Sequence, residues 1–209
     1  MIRINSATGA AVLHEGDGVA GIEDYEPLVD PNASDVVRRA LRSRSSLRNF
    51  SECPVPRELL ASAVSDALFS PSVCNRQATR TRWFHRDDPQ FLVCLKHQNG
   101  NRGFGDTAQW VGLITYDNRC FLTPGERNQG YIDAGLFTMT LQYSLHAQGV
   151  GACCLNWSMN ARQDRRLRAD VTIPDHETVV MMLAVGYPAP MARATVSPRR
   201  SSATVFLNQ

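Results

Sequence analysis

Residues 129–148 read QGYIDAGLFTMTLQYSLHAQ, and residues 149–155 continue GVGACCL. Ile132, Leu136, Met139 and Tyr143 recur on one helical face, and Phe137, Leu141 and Leu145 widen it. A helix apolar over that much of its circumference belongs in a core or an interface. Gly149-Val150-Gly151 ends it, and Ala152 to Leu155 reads as a strand. The order helix, glycine, strand reverses that of a dinucleotide fingerprint, whose third glycine is also missing. A doubly wound nucleotide fold therefore does not fit.

Downstream, Asn160 to Ala169 reads as a polar helix closed by Ile173-Pro174, and Thr178 to Val185 as an apolar strand stopped at Gly186-Tyr187-Pro188. Upstream, Trp110 to Tyr116 is a β-branched, buried strand. Pro89 opens a short helix over Asp88 to Lys96, and Thr79 to Phe84 is a short strand. Leu59, Leu60, Ala63, Val64, Ala67 and Leu68 give a helix between Pro56 and Pro71. Ser34 is placed to cap a helix carrying Val36, Val37, Ala40 and Leu41. This irregular alternation argues for α+β architecture. Residues 1–33 read as an extended or partly ordered arm and residues 34–209 as one domain. In the Pro-, Ser- and Arg-rich tail, Thr204 to Leu207 has the pattern of an edge strand.

The chain has 209 residues, 43% hydrophobic and 20% charged, with 22 Lys and Arg against 20 Asp and Glu. That is globular composition, and a net charge of +2 is too balanced for a dedicated nucleic-acid binder. No apolar run reaches the length of a membrane span, and the N-terminus lacks the apolar core of a signal peptide. The six cysteines form no CxxC and the five histidines never cluster at ligand spacing. The expectation is a cytoplasmic protein with free thiols, no metal, no membrane and no nucleic acid.

Three stretches carry chemistry. In Arg44-Ser45-Ser46-Leu47-Arg48-Asn49-Phe50, two guanidinium forks and a hydroxyl can converge on a phosphate; alone, such a cluster is more often a solvated helix end. In Pro71-Ser72-Val73-Cys74-Asn75-Arg76-Gln77, two amides offer donors and acceptors to a heteroaromatic edge or a polyol, though a plain turn uses the same residues. Before Asn156-Trp157-Ser158, small residues either let backbone approach a planar ligand or merely end the helix.

In this order the stretches resemble the FMN-dependent nitroreductase family. Arg44 to Phe50 is similar to its Arg-x-Ser-x-Arg-x-Phe segment, and Pro71 to Gln77 to its Pro-Ser-x-x-Asn-x-Gln loop. Asp133-Ala134-Gly135 with Gly149-Val150-Gly151, and Val185-Gly186-Tyr187-Pro188, match its central helix and strand ends. The resemblance covers about Ser34 to Leu207.

The resemblance implies a central, mostly antiparallel sheet flanked by helices, in an intertwined homodimer. It implies FMN, with Arg44, Ser46 and one of Arg199 and Arg200 on the phosphate. Arg48 would stand by the ring edge as an electrostatic stabiliser where negative charge develops on reduction. Asn101 would contact the ribityl chain or ring, and Leu155 and Asn156 would line the ring. Pro71, Ser72 and Val73 would reach FMN in the partner subunit, and Asn75 and Gln77 would also bind the cofactor. The implied reaction is ping-pong: NAD(P)H gives hydride to flavin N5, and a small planar or conjugated acceptor (nitroaromatic, quinone or flavin type) then takes the electrons. No other catalytic residue is required. The alternative is a flavin-binding module of the same fold without turnover. It is motivated by Ser45, where relatives often carry a second basic residue, and by the short, polar segment from Asp117 to Gly130 where they carry a variable lid.

Overall fold

The computed structural model describes residues 32–207 together with the dipeptides Arg3–Ile4 and Val19–Ala20. The chain divides into two units, Met1–Arg39 and Ala40–Gln209. In the first, β1 (Arg3–Ile4) pairs in parallel with β2 (Val19–Ala20). Most of the expected arm, residues 1–33, lies outside the described residues. Helix α1 (Ala33–Ser43) begins with Val36 N–H bonded to Asn32 O at 3.1 Å, so Ser34 lies in the first turn and not at the cap.

In the second unit, β3 (Thr79–His85), β4 (Trp110–Asp117), β5 (Gly151–Asn156) and β6 (Glu177–Gly186) form a sheet of order β3-β4-β6-β5. Every neighbouring pair is antiparallel. Successive side chains point to opposite faces, and both faces are covered. On one, Met182 and Ala184 pack with Phe91 and Cys94 of α3 (Pro89–His97) and Leu167 and Val171 of α5 (Ala161–Val171). On the other, Leu183 and Val185 pack with Leu60 and Ala63 of α2 (Arg57–Ala67) and Phe137, Leu141 and Leu145 of α4 (Gln129–Ala147). The expected α+β architecture, a central antiparallel sheet flanked by helices, is the one observed.

Local chemistry sets the boundaries. Asp88 caps α3 by accepting Gln90 N–H at 2.8 Å, with Pro89 in the first turn. Asn160 and Gln163 form a reciprocal capping box on α5. Gly149, at φ +77, ends α4 in the left-handed conformation. The α4 face carrying Phe137, Leu141 and Leu145 is core, whereas Ile132 and Leu136 are 53% and 43% exposed in the single chain.

The tail differs from expectation. Thr204 to Leu207 is no strand: Ser202–Thr204 is a turn of 3-10 helix, and Val205, Phe206 and Leu207 are exposed. The Ser201 hydroxyl accepts Ala203 N–H, and Ser202 O accepts the N–H groups of Val205 and Phe206. These local bonds use backbone groups that a strand would offer to a neighbour.

Candidate active site

The segment Arg44 to Phe50 leaves α1 and runs along the outer edge of β5. Leu47 N–H bonds Ala152 O at 3.1 Å; further on, Ser51 N–H bonds Tyr187 O at 2.8 Å and Ala189 N–H bonds Asn49 O at 3.1 Å. Gly151 and Gly186 are cross-strand partners beneath it. A Cβ on Gly151 would collide with the Leu47 side chain, and one on Gly186 would stand 2.8 Å from Phe50 Cδ1. The glycine pair is a seat for this segment and brings Arg44 to Phe50 together with Gly149-Val150-Gly151 and Gly186-Tyr187-Pro188. Gly149 ends the helix; Gly151 admits the chain beside it.

Seated there, Arg44, Ser46 and Arg48 line a groove of about 780 Å³ with Arg42, and the tail closes it with Ser197 and Arg199. Among the described residues no carboxylate lines this groove. Arg199 is steadied by donation to Ser197 O at 2.7 Å, and Arg48 stands 5.9 Å from the centre of the Phe104 ring. Arg200 is exposed and does not line the groove. Arg42 did not stand out in the sequence; its position two residues before Arg44, at the end of α1, is the only signal for it. Cys153 is buried, and burial pushes its thiol up against the pull of Arg48, Ser46 and Arg44.

The amide-bearing loop makes a second cluster. Cys74, Asn75 and Gln77 all have positive φ, at 49°, 51° and 47°. Such backbone is costly for side-chain-bearing residues and persists only when its surroundings enforce it. Here Ser72 Oγ accepts Gln77 N–H at 3.1 Å and Gln77 Nε2 donates to Asn75 Oδ1 at 3.0 Å. From α4, the buried Asp133 accepts Val73 N–H at 3.2 Å and Gln129 Nε2 at 2.8 Å. Pro71, Ser72, Gln77 and Asp133 border a small pocket that shares no lining residue with the arginine groove. Within one chain the two clusters are separate.

The remaining candidates divide. Both Asn101 amide donations go to backbone, to Leu95 O at 2.7 Å and Gln98 O at 2.8 Å, closing the end of α3. Leu155 is buried in the core, while Asn156 is exposed and its carbonyl accepts Gln98 Nε2 at 2.7 Å. Cys154, one pleat earlier on the face that Asn156 shares, is also exposed. Among the described residues no group of acidic, His or Cys side chains could hold a metal ion, and no helix is long and apolar enough to cross a membrane.

The nitroreductase family model matches residues 41–90 and 82–187, which takes in the seated segment, the loop, the whole sheet and the glycine pair. The chain belongs to the nitroreductase family. A nitroreductase of Desulfovibrio desulfuricans solved in complex with FMN shares 22% identity over 83% of this chain and 96% of its own, with a TM-score of 0.71. The nitroreductase family protein of Streptococcus pneumoniae superposes with a TM-score of 0.73 at 14% identity, over 83% of this chain and all of its own. An FMN-dependent nitroreductase of Clostridium difficile gives 0.66 at 20% identity, over 81% of this chain and 98% of its own. A search of curated proteins found no match. At these identities the likeness of the solved nitroreductases to this one is a likeness of fold.

Proposed function

We propose that this nitroreductase is an FMN-dependent oxidoreductase that takes hydride from NAD(P)H and passes electrons to a small planar or conjugated acceptor. The observation that carries the reading is the arginine groove: Arg42, Arg44, Arg48 and Arg199 around the Ser46 hydroxyl, with no carboxylate among the described residues of the lining. Guanidinium forks and a hydroxyl are the donor set that a phosphate monoester takes, and the groove volume falls in the range of cofactor sites. The cation missing at Ser45 in the sequence is supplied in space by Arg42.

FMN, when bound, supplies the two-electron chemistry at its ring. Arg44, Ser46 and Arg199 hold its phosphate. Arg48 would keep a cation where negative charge develops, and its guanidinium lies within cation–π range of the Phe104 ring. Asn156 offers a polar group at the exposed end of β5, and Asn101 positions the loop before it. The amides of Asn75 and Gln77, with Pro71, Ser72 and Val73, complete the site from a second copy of the chain. Half-sites that stay apart within one chain support that homodimer, as does the bare Ile132 and Leu136 face of α4. Donor and acceptor use the same slot in turn, in a ping-pong sequence.

Purified protein should be yellow, release FMN on denaturation and lose its visible absorbance when NADH or NADPH is added without oxygen. Protein that never takes up FMN would overturn the reading. Flavin bleached by dithionite but by neither nicotinamide would leave a flavin-binding module without this turnover.

A further inference from the structure

The chain leaves the sheet through a strained turn and then passes the arginine groove with little to hold it. Pro188 is anchored by a bridge to Phe50, and Ala189 N–H bonds Asn49 O at 3.1 Å. Ala192 N–H then bonds Ala189 O at 3.0 Å, closing a turn in which Met191 stands at φ +58 and is 92% exposed. Left-handed backbone is costly for a residue with a Cβ. Beyond the turn, residues 193–200 are exposed throughout and form neither helix nor strand. Among the described residues, the one hydrogen bond of this segment is internal, from Arg199 to Ser197 O. Yet Ala194 to Ser197 and Arg199 line the groove with Arg42, Arg44 and Arg48. Four guanidinium groups thus share one groove with no carboxylate among its described residues, and like charge pushes the segment carrying Arg199 away from the other three.

We propose that residues 193–200 are a strap that swings on the Ala189–Ala192 turn and is latched by a phosphate held between Arg199 and the arginines at the end of α1, so that its opening sets how fast the cofactor leaves. The inference rests on the FMN reading above and adds a gate to it. A dianion in the groove turns repulsion between Arg199 and its neighbours into shared attraction. Arg199 then does more than add affinity: it fastens a segment that no other bond ties to the described body. Met191 is the hinge, exposed and outside the groove lining, so it acts only through the path of the strap.

The test uses the full-length protein, with Met191→Pro and Met191→Gly beside the parent. Proline cannot adopt a positive φ, so it redirects the strap while leaving Arg199 in place; glycine adopts it without strain. Trypsin cleavage after Arg193 and Arg199, located by mass spectrometry, reports on the strap. FMN association and dissociation, followed by flavin fluorescence, report on the gate. FMN should slow cleavage of the parent about ten-fold, the scale of one charge-assisted contact, whereas riboflavin, which lacks the phosphate, should change it less than about two-fold. Met191→Pro should lose that protection and release FMN about ten-fold faster, with its association rate within about two-fold of the parent's. Met191→Gly should behave as the parent. Equal cleavage with and without bound FMN, equal protection by riboflavin, or unchanged release from Met191→Pro overturns the proposal. If the protein takes up no FMN the functional reading fails instead, and cleavage with and without inorganic phosphate decides the strap: protection sustains it, and no protection overturns it.

Discussion

Gly151 shows how one missing side chain shapes the site. Its hydrogen is all that separates β5 from Leu47, so Gly151→Ala forces the seated segment outward. The expected cost is about 1–3 kcal/mol of overpacking, read as a lower denaturant midpoint, together with weaker FMN retention as Arg44 and Arg48 shift. Leu47→Ala in the same chain should restore part of the retention, and its failure to do so would separate Gly151 from the groove. Arg44→Ala tests the groove directly. Removing one charge-assisted hydrogen-bond donor should weaken FMN binding by about 1.5–3 kcal/mol, measured by flavin fluorescence titration, with thermal stability of the apoprotein little changed. Unaltered affinity would place the phosphate elsewhere.

Among the elements, helices and strands were legible because their apolar periods are plain. Leu183 and Val185 against Met182 and Ala184 make β6 readable, as Phe137, Leu141 and Leu145 make α4. Legibility failed where local hydrogen bonding competes with pattern: Val205-Phe206-Leu207 looks like a strand but follows a serine-closed turn. It failed too for supports distant in sequence. Asp133 and Arg42 gain their roles only once α4 and the end of α1 are placed in space. The end of β4 illustrates the same point and yields a pH prediction. The Arg119 side chain, grasping both Asp117 oxygens at 3.0 and 2.7 Å, brings that carboxyl down to about 2. A carboxyl depressed in the folded state stabilises it above the ordinary aspartate range and ceases to do so as pH falls through the folded value. Stability should therefore decline between about pH 4 and pH 2. Asp117→Asn should flatten that part of the curve, as followed by thermal unfolding at stepped pH. An unchanged slope would assign the loss to other carboxylates.

At the scale of the whole molecule, the exposed Ile132 and Leu136 face predicts a tight homodimer. Leu136→Glu, placing a charge on that face, should shift the species seen by light scattering from dimer to monomer and abolish flavin retention together with it. A dimer that persists with flavin bound would put the interface elsewhere. The separation of the arginine groove from the amide loop carries a genetic consequence. Arg44→Ala and Gln77→Ala should be recessive to one another: chains mixed after unfolding and refolded together would give hybrids with one doubly damaged and one wholly intact centre. At an FMN concentration that loads the parental protein but neither single variant, random reassortment would then revive about a quarter of the parental turnover, the signature of complementation between halves of a shared machine.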